Sequence, residues 1–124
     1  RAVADPFLLR HDGAWWLFFE VWNAETGRGE IACATSPDAG VSWVYQSSVL
    51  REPFHLSYPH VFAWEGAIYM VPESRQDRAV HLYVADRFPG GWRRVSTLLR
   101  GAYADATLLR FEDRWWMFAQ RGLD

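Results

Sequence analysis

The chain has one cysteine, Cys33, so it can hold neither an intrachain disulfide nor a cysteine metal cluster. Its place in an apolar run marks it as an inert core thiol. No uninterrupted apolar stretch approaches the length a helix needs to cross a bilayer, which excludes a helical transmembrane segment. Basic runs are missing as well: the formal charge is -2, and the chain lacks the electrostatic footprint of nucleic-acid binding. No two histidines stand at a recognised ligand spacing, so no metal site is expected, and no cofactor either. No signal peptide is visible, and the sequence leaves the compartment open.

What the chain has in quantity is apolar and aromatic residues, 50% and 17% of the total, and it spends them in a repeat. Ala4-Asp5-Pro6-Phe7 through Trp16-Leu17-Phe18-Phe19-Glu20 returns as Tyr58-Pro59-His60-Val61 through Tyr69-Met70-Val71-Pro72-Glu73. It returns again as Ala104-Asp105-Ala106-Thr107 through Trp116-Met117-Phe118-Ala119-Gln120. Pro6 with Pro59, Gly13 with Gly66, Trp16 with Tyr69 and Glu20 with Glu73 share one offset. Tyr69 with Trp116, Val71 with Phe118 and Glu73 with Gln120 share a second. Chance similarity does not keep one register through so many positions.

Between the copies lie two further related segments, Glu30 to Ser36 with Trp43 to Leu50, and His81 to Asp86 with Trp92 to Leu99. Each full unit therefore offers four short apolar runs, separated by turn residues such as Asp12-Gly13, Glu65-Gly66 and Pro89-Gly90-Gly91. The runs Trp15 to Phe19 and Trp115 to Phe118 are apolar on both faces, as a sheet sandwiched between sheets requires. A buried helix is the competing reading, but these runs are too short and too closely bounded by turns. Four antiparallel strands at a period of roughly 50 residues describe a β-propeller blade. The fold expected is all-β: one partial propeller domain over residues 1–124, with blades at 5–50 and 58–99 and a half blade at 105–120. Propellers close with at least four blades, so either remaining blades or self-association is expected to cover the open faces.

In a propeller the first strand of every blade lines the axis, and residues that open those strands converge on one mouth. Asp5, Tyr58 and Asp105 hold that position in the three copies. Two carboxylates from separate blades facing one cavity suit glycosidic chemistry, in which one carboxylate works on water and another on the leaving oxygen. The plainer alternative is that both aspartates cap turns. Glu20 and Glu73 end their second strands, which return beside the openings of the first, so they join the mouth or make surface ion pairs. His60 follows Tyr58 by two residues and shares its face, which makes it a candidate sugar contact. His55 is a rim candidate in the loop before it, and Arg75 a candidate grip for an anionic or hydroxylated ligand. Trp22 and Trp64 lie near blade ends where a sugar face can stack, whereas Trp15, Trp16, Trp115 and Trp116 recur inside strands and read as packing.

The string Ala4-Asp5-Pro6-Phe7 with Asp12-Gly13-Ala14-Trp15-Trp16-Leu17-Phe18 resembles the first blade of five-bladed furanosidase-type propellers such as glycoside hydrolase family 43. That resemblance implies Asp5 as general base and Asp105 as the carboxylate that orients substrate, with a general acid Glu from a later blade outside this chain. Ala106 departs from the usual proline of that pattern. A resemblance over essentially the whole chain is to the N-terminal propeller domain of plant glucosamine inositolphosphorylceramide transferases and their bacterial relatives. Its marks are Gly29-Glu30-Ile31, Glu52-Pro53-Phe54-His55-Leu56-Ser57-Tyr58-Pro59 and Ile68-Tyr69-Met70-Val71-Pro72-Glu73. It implies a carbohydrate or glycoconjugate partner and an accessory role beside a separate transferase domain. A recognised fold does not by itself establish catalysis.

Overall fold

The computed structural model describes residues 2–122. They form ten antiparallel strands in chain order: β1 (Val3–His11), β2 (Ala14–Asn23), β3 (Arg28–Ser36), β4 (Val44–Leu50), β5 (Ser57–Trp64), β6 (Ala67–Glu73), β7 (Ala79–Arg87), β8 (Gly90–Arg100), β9 (Tyr103–Phe111) and β10 (Arg114–Arg121). One turn of 3-10 helix, Arg75–Asp77, separates β6 from β7. The strands make two four-stranded meanders, β1 to β4 and β5 to β8, and a two-stranded sheet of β9 and β10. This all-β arrangement is a partial multi-bladed propeller.

Turn chemistry sets the inner hairpins. Asp12 and Gly13, Glu65 and Gly66, and Glu112 and Asp113 all have positive φ, as a two-residue turn matched to the strand twist demands. The third hairpin puts Asp113 where the others have glycine, at φ 60°.

The sheets stack through residues of alternate parity. Phe18, Ile31 and Cys33 of the first sheet meet Val61, Met70 and Tyr83 of the second, with Phe54 and Leu56 of the connecting segment closing the layer. Val71, Val80 and Ala106 centre a smaller layer between the second and third sheets. Burying side chains of this size stabilises by about 1.5–3 kcal/mol each, so these two layers fix the relative placement of the three sheets. Burial pushes the Cys33 thiol up to about 11, which leaves it protonated and unreactive.

The connecting segments are tied down by one repeated device. Leu56 donates its N–H to the Gly29 carbonyl, and Gly101 donates to the carbonyl of Arg78, so each linker pairs with the start of the preceding third strand. In the first linker Arg94 bonds Glu52 at 2.7 Å and lies over the rings of Phe54 and Tyr83.

Candidate functional site

The three opening residues share one irregular geometry. Ala4 pairs with Glu20 and Phe7 with Phe18, so Asp5 and Pro6 together oppose a single residue. Tyr58 and Pro59 do the same between the Ser57 and His60 pairs, and Asp105 and Ala106 between the Ala104 and Thr107 pairs. Each is a β-bulge, and its first residue is left-handed: Asp5 at φ 55°, Tyr58 at 44° and Asp105 at 54°. A left-handed conformation costs a non-glycine residue roughly 1–2 kcal/mol, and a bulge re-aims the side chain it carries. The packing of all three sheets holds that strain at one end of the fold.

Polar bonds run from bulge to bulge across the sheet boundaries. The half-buried Asp5 accepts the Tyr58 N–H at Oδ2, 3.3 Å away. The Tyr58 hydroxyl reaches Thr107 Oγ1 at 3.0 Å, and Thr107 in turn donates to the Asp105 carbonyl at 3.5 Å. Edge-on contact with Phe7, at 4.8 Å between ring centres, supports the Tyr58 ring. The Asp105 residue is exposed. Thus Asp5 and Tyr58 touch directly, while Asp105 joins them through its backbone carbonyl and Thr107.

One step deeper, His60 lies 5.6 Å from Phe7 and 5.5 Å from Phe62. Both ring nitrogens are shielded from solvent and have no hydrogen-bond partner. Burial pushes its pKa below the usual 6.5; the Leu108 backbone opposes this, but not in a geometry that makes a hydrogen bond. An unpaired buried polar group costs about 1–3 kcal/mol, which a hydroxyl or water reaching the ring would offset.

Beside the bulges stands a second group. Gly29 donates its N–H to His55 Nδ1 at 2.8 Å, and His55 Nε2 faces Glu20 Oε1 at 3.4 Å. Ser57 donates to Glu73 Oε2 at 3.0 Å, and Gln76 accepts the His55 N–H at 2.6 Å. Burial raises the pKa of Glu20; His55 pulls it down, while the Asp5 and Glu73 charges push it up. Those couplings place Asp5, Glu20, His55 and Glu73 within one electrostatic neighbourhood. Trp22 stands at its rim, 45% exposed and 6.2 Å from the His55 ring.

Other candidates fall elsewhere. Arg75 sits in the exposed 3-10 turn with its guanidinium against Gly122. At the far end of β5 from Tyr58, Trp64 packs edge-on with Trp115 under Arg110, a structural stack away from the mouth. A cleft of about 560 Å³ lined by Trp22, Asn23, Gln46 and Arg51 borders the uncovered face of the first sheet instead of the bulges. Its carboxylate, Glu30, is held by Asn23, Ser48 and Arg51. Among the described residues no group of three or more His, Cys, Asp or Glu side chains is arranged to hold a metal.

Two residues with no sequence signal prove well connected. His81, 3% exposed, bridges Asp77 at 2.7 Å and Thr97 at 3.0 Å. Thr107 links two bulges, yet occupies the repeat position that is His60 in one copy and Phe7 in another.

The geometry has parallels in known proteins. Residues 1–122 match the family model described as glucosamine inositolphosphorylceramide transferase 1, N-terminal. Glucosamine inositolphosphorylceramide transferase 1 of Oryza sativa subsp. indica is 39% identical over 117 residues, covering 94% of this chain and 16% of its own length. The Arabidopsis thaliana protein of the same name is 37% identical over 115 residues, 93% of this chain and 15% of its own. The chain therefore spans about a sixth of these relatives. Among solved structures, a family 117 glycoside hydrolase from Zobellia galactanivorans superimposes with a TM-score of 0.78 at 18% identity, over 100% of this chain and 41% of its own. At that identity the likeness speaks for the fold alone.

Proposed function

Because the chain belongs to the family of the N-terminal region of glucosamine inositolphosphorylceramide transferase 1, we propose that it is a carbohydrate-recognition propeller domain, accessory to sugar transfer. Its ligand is a sugar or glycoconjugate seated at the mouth formed by Asp5, Tyr58 and Asp105. One observation carries this reading: three equivalent bulges hold Asp5, Tyr58 and Asp105 in the same left-handed conformation at one end of the fold. A sugar presents hydroxyl pairs and an apolar ring face. The Asp5 carboxylate and the Tyr58 hydroxyl supply polar partners above the shielded His60 ring, and the exposed Trp22 ring supplies a stacking surface. Glu20, Glu73 and His55 line the rim, with Arg75 further out.

The test is a chemical-shift titration with glucosamine, with an inositol phosphate headgroup and with neutral hexoses. Saturable shifts centred on Asp5, Tyr58 and His60 support the reading. Shifts confined to the cleft near Arg51, or none with any probe, would sink it.

A second reading has Asp5 as the base and Asp105 as the orienting carboxylate of a glycoside hydrolase, with an acid Glu from outside this chain. What supports it is that Asp5 and Asp105 hold equivalent left-handed bulge positions on two different sheets. Aryl glycoside turnover by a longer polypeptide, abolished by Asp5→Asn, separates it from binding alone. In either case the uncovered faces of the first and third sheets take further blades or a second copy as partners.

A further inference from the structure

At the mouth, the orientation of one carboxyl group follows from a backbone amide. Gly29 N–H occupies Nδ1 of His55. A ring nitrogen that accepts a hydrogen bond carries no proton, so the His55 proton resides on Nε2. That nitrogen faces Glu20 Oε1 at 3.4 Å, an approach longer than a well-formed hydrogen bond. We propose that His55 is a positioning residue, locked by the Gly29 amide in the Nε2–H tautomer, which engages Oε1 of Glu20 and leaves Oε2, the oxygen that a proton would take, to a ligand in the mouth.

Three observations converge on this assignment. A side chain at position 29 is impossible without displacement: a Cβ built there would stand 2.7 Å from both Glu20 Oε1 and His55 Cε1. Glycine therefore permits the close approach that seats both groups. Oε1 retains its acceptor lone pairs whether or not the carboxyl is protonated, so the His55 contact persists in both states and the proton goes to Oε2. The charged groups facing Glu20 are Asp5 on β1, His55 on the linker and Glu73 at the end of β6; burial and the two carboxylates favour the protonated form, and His55 opposes it. Oε2 of Glu20 and the Asp5 carboxyl then stand in one neighbourhood at the mouth, as polar partners for a sugar hydroxyl. The nature of that ligand rests on the binding function proposed above; the tautomer and the proton position do not.

The experiment is nitrogen-15 NMR of the imidazoles together with carboxyl carbon titration of Glu20 in the 124-residue chain. The expected result is an unprotonated Nδ1 and protonated Nε2 at His55, with the Glu20 midpoint above the ordinary glutamate value. In His55→Phe the Glu20 midpoint moves upward, and in His55→Gln, whose amide again offers an N–H, it returns toward the wild-type position. The opposite tautomer, or a Glu20 midpoint unmoved by His55→Phe, overturns the proposal. If the phenylalanine variant fails to fold, the wild-type tautomer alone decides. A chain that shows this tautomer and titration yet binds no sugar refutes the binding function and leaves the assignment standing.

Discussion

Asp5, Tyr58 and Asp105 occupy equivalent steps of three strands in the same left-handed conformation, two carboxylates and one phenol. Asparagine tolerates that conformation and accepts the Tyr58 N–H as Asp5 does. Asp5→Asn is therefore expected to shift the unfolding free energy by less than about 0.5 kcal/mol while weakening ligand binding. Asp5→Leu, which strains the backbone and strands the amide, is expected to cost about 2 kcal/mol, measured by urea denaturation. His60 sets a pH dependence. Its folded pKa lies below the usual 6.5, so the unfolded chain takes up the proton first on acidification. Stability from this residue is complete above that value and falls as pH drops through it. Glu20 acts oppositely, since its raised pKa makes the folded state the better proton acceptor as pH falls. Comparing urea midpoints at about pH 7.5 and about pH 5.5, His60→Leu is expected to lose the His60 component of the drop.

At the scale of elements, turns and close approaches decide. Asp113 takes a left-handed position that glycine fills in the two sister hairpins, so Asp113→Gly is expected to stabilise by about 1 kcal/mol in chemical denaturation. Gly29→Ala drives a methyl into the linker and the Glu20 to His55 approach, and is expected to destabilise by roughly 1–3 kcal/mol. Strands and hairpins were legible in the sequence because one repeat writes them three times with turn residues between. The shared offset also aligned Asp5, Tyr58 and Asp105 without contact information. The bulges were not legible, since Asp-Pro reads equally as a turn cap and only the cross-strand register shows two residues opposing one. His81 was invisible for a similar reason: its partners are Asp77 in a turn and Thr97 on β8, which adjoin it only once the second sheet is built. The run from Glu52 to Pro59 was distinctive as a string. Its meaning lies in the Arg94, Gly29 and Glu73 contacts made by Glu52, His55 and Ser57.

On the scale of the whole molecule, the packing faces repeat as the strands do. Trp116, 47% exposed, and Phe118, 61% exposed, occupy the repeat positions that Trp16 and Phe18 bury against the second sheet. The other face of the first sheet exposes Val3, Trp43 and Tyr45 around Phe19 and Ala34, with no sheet upon it among the described residues. One side of an observed interface thus stands open on the third sheet and its complement on the first. Sedimentation of the chain is expected to show concentration-dependent association, reduced in the double variant Trp116→Glu, Phe118→Glu. The three bulges lie at one end of all three sheets, so under the proposed function ligand and neighbouring blades approach different surfaces. A chemical-shift titration of the chain with glucosamine and inositol phosphate, run on wild type and Asp5→Asn, tests the central claim most directly. Saturable shifts at Asp5, Tyr58 and His60 that weaken in the variant are the predicted result; shifts elsewhere, or equal binding by both proteins, would contradict it.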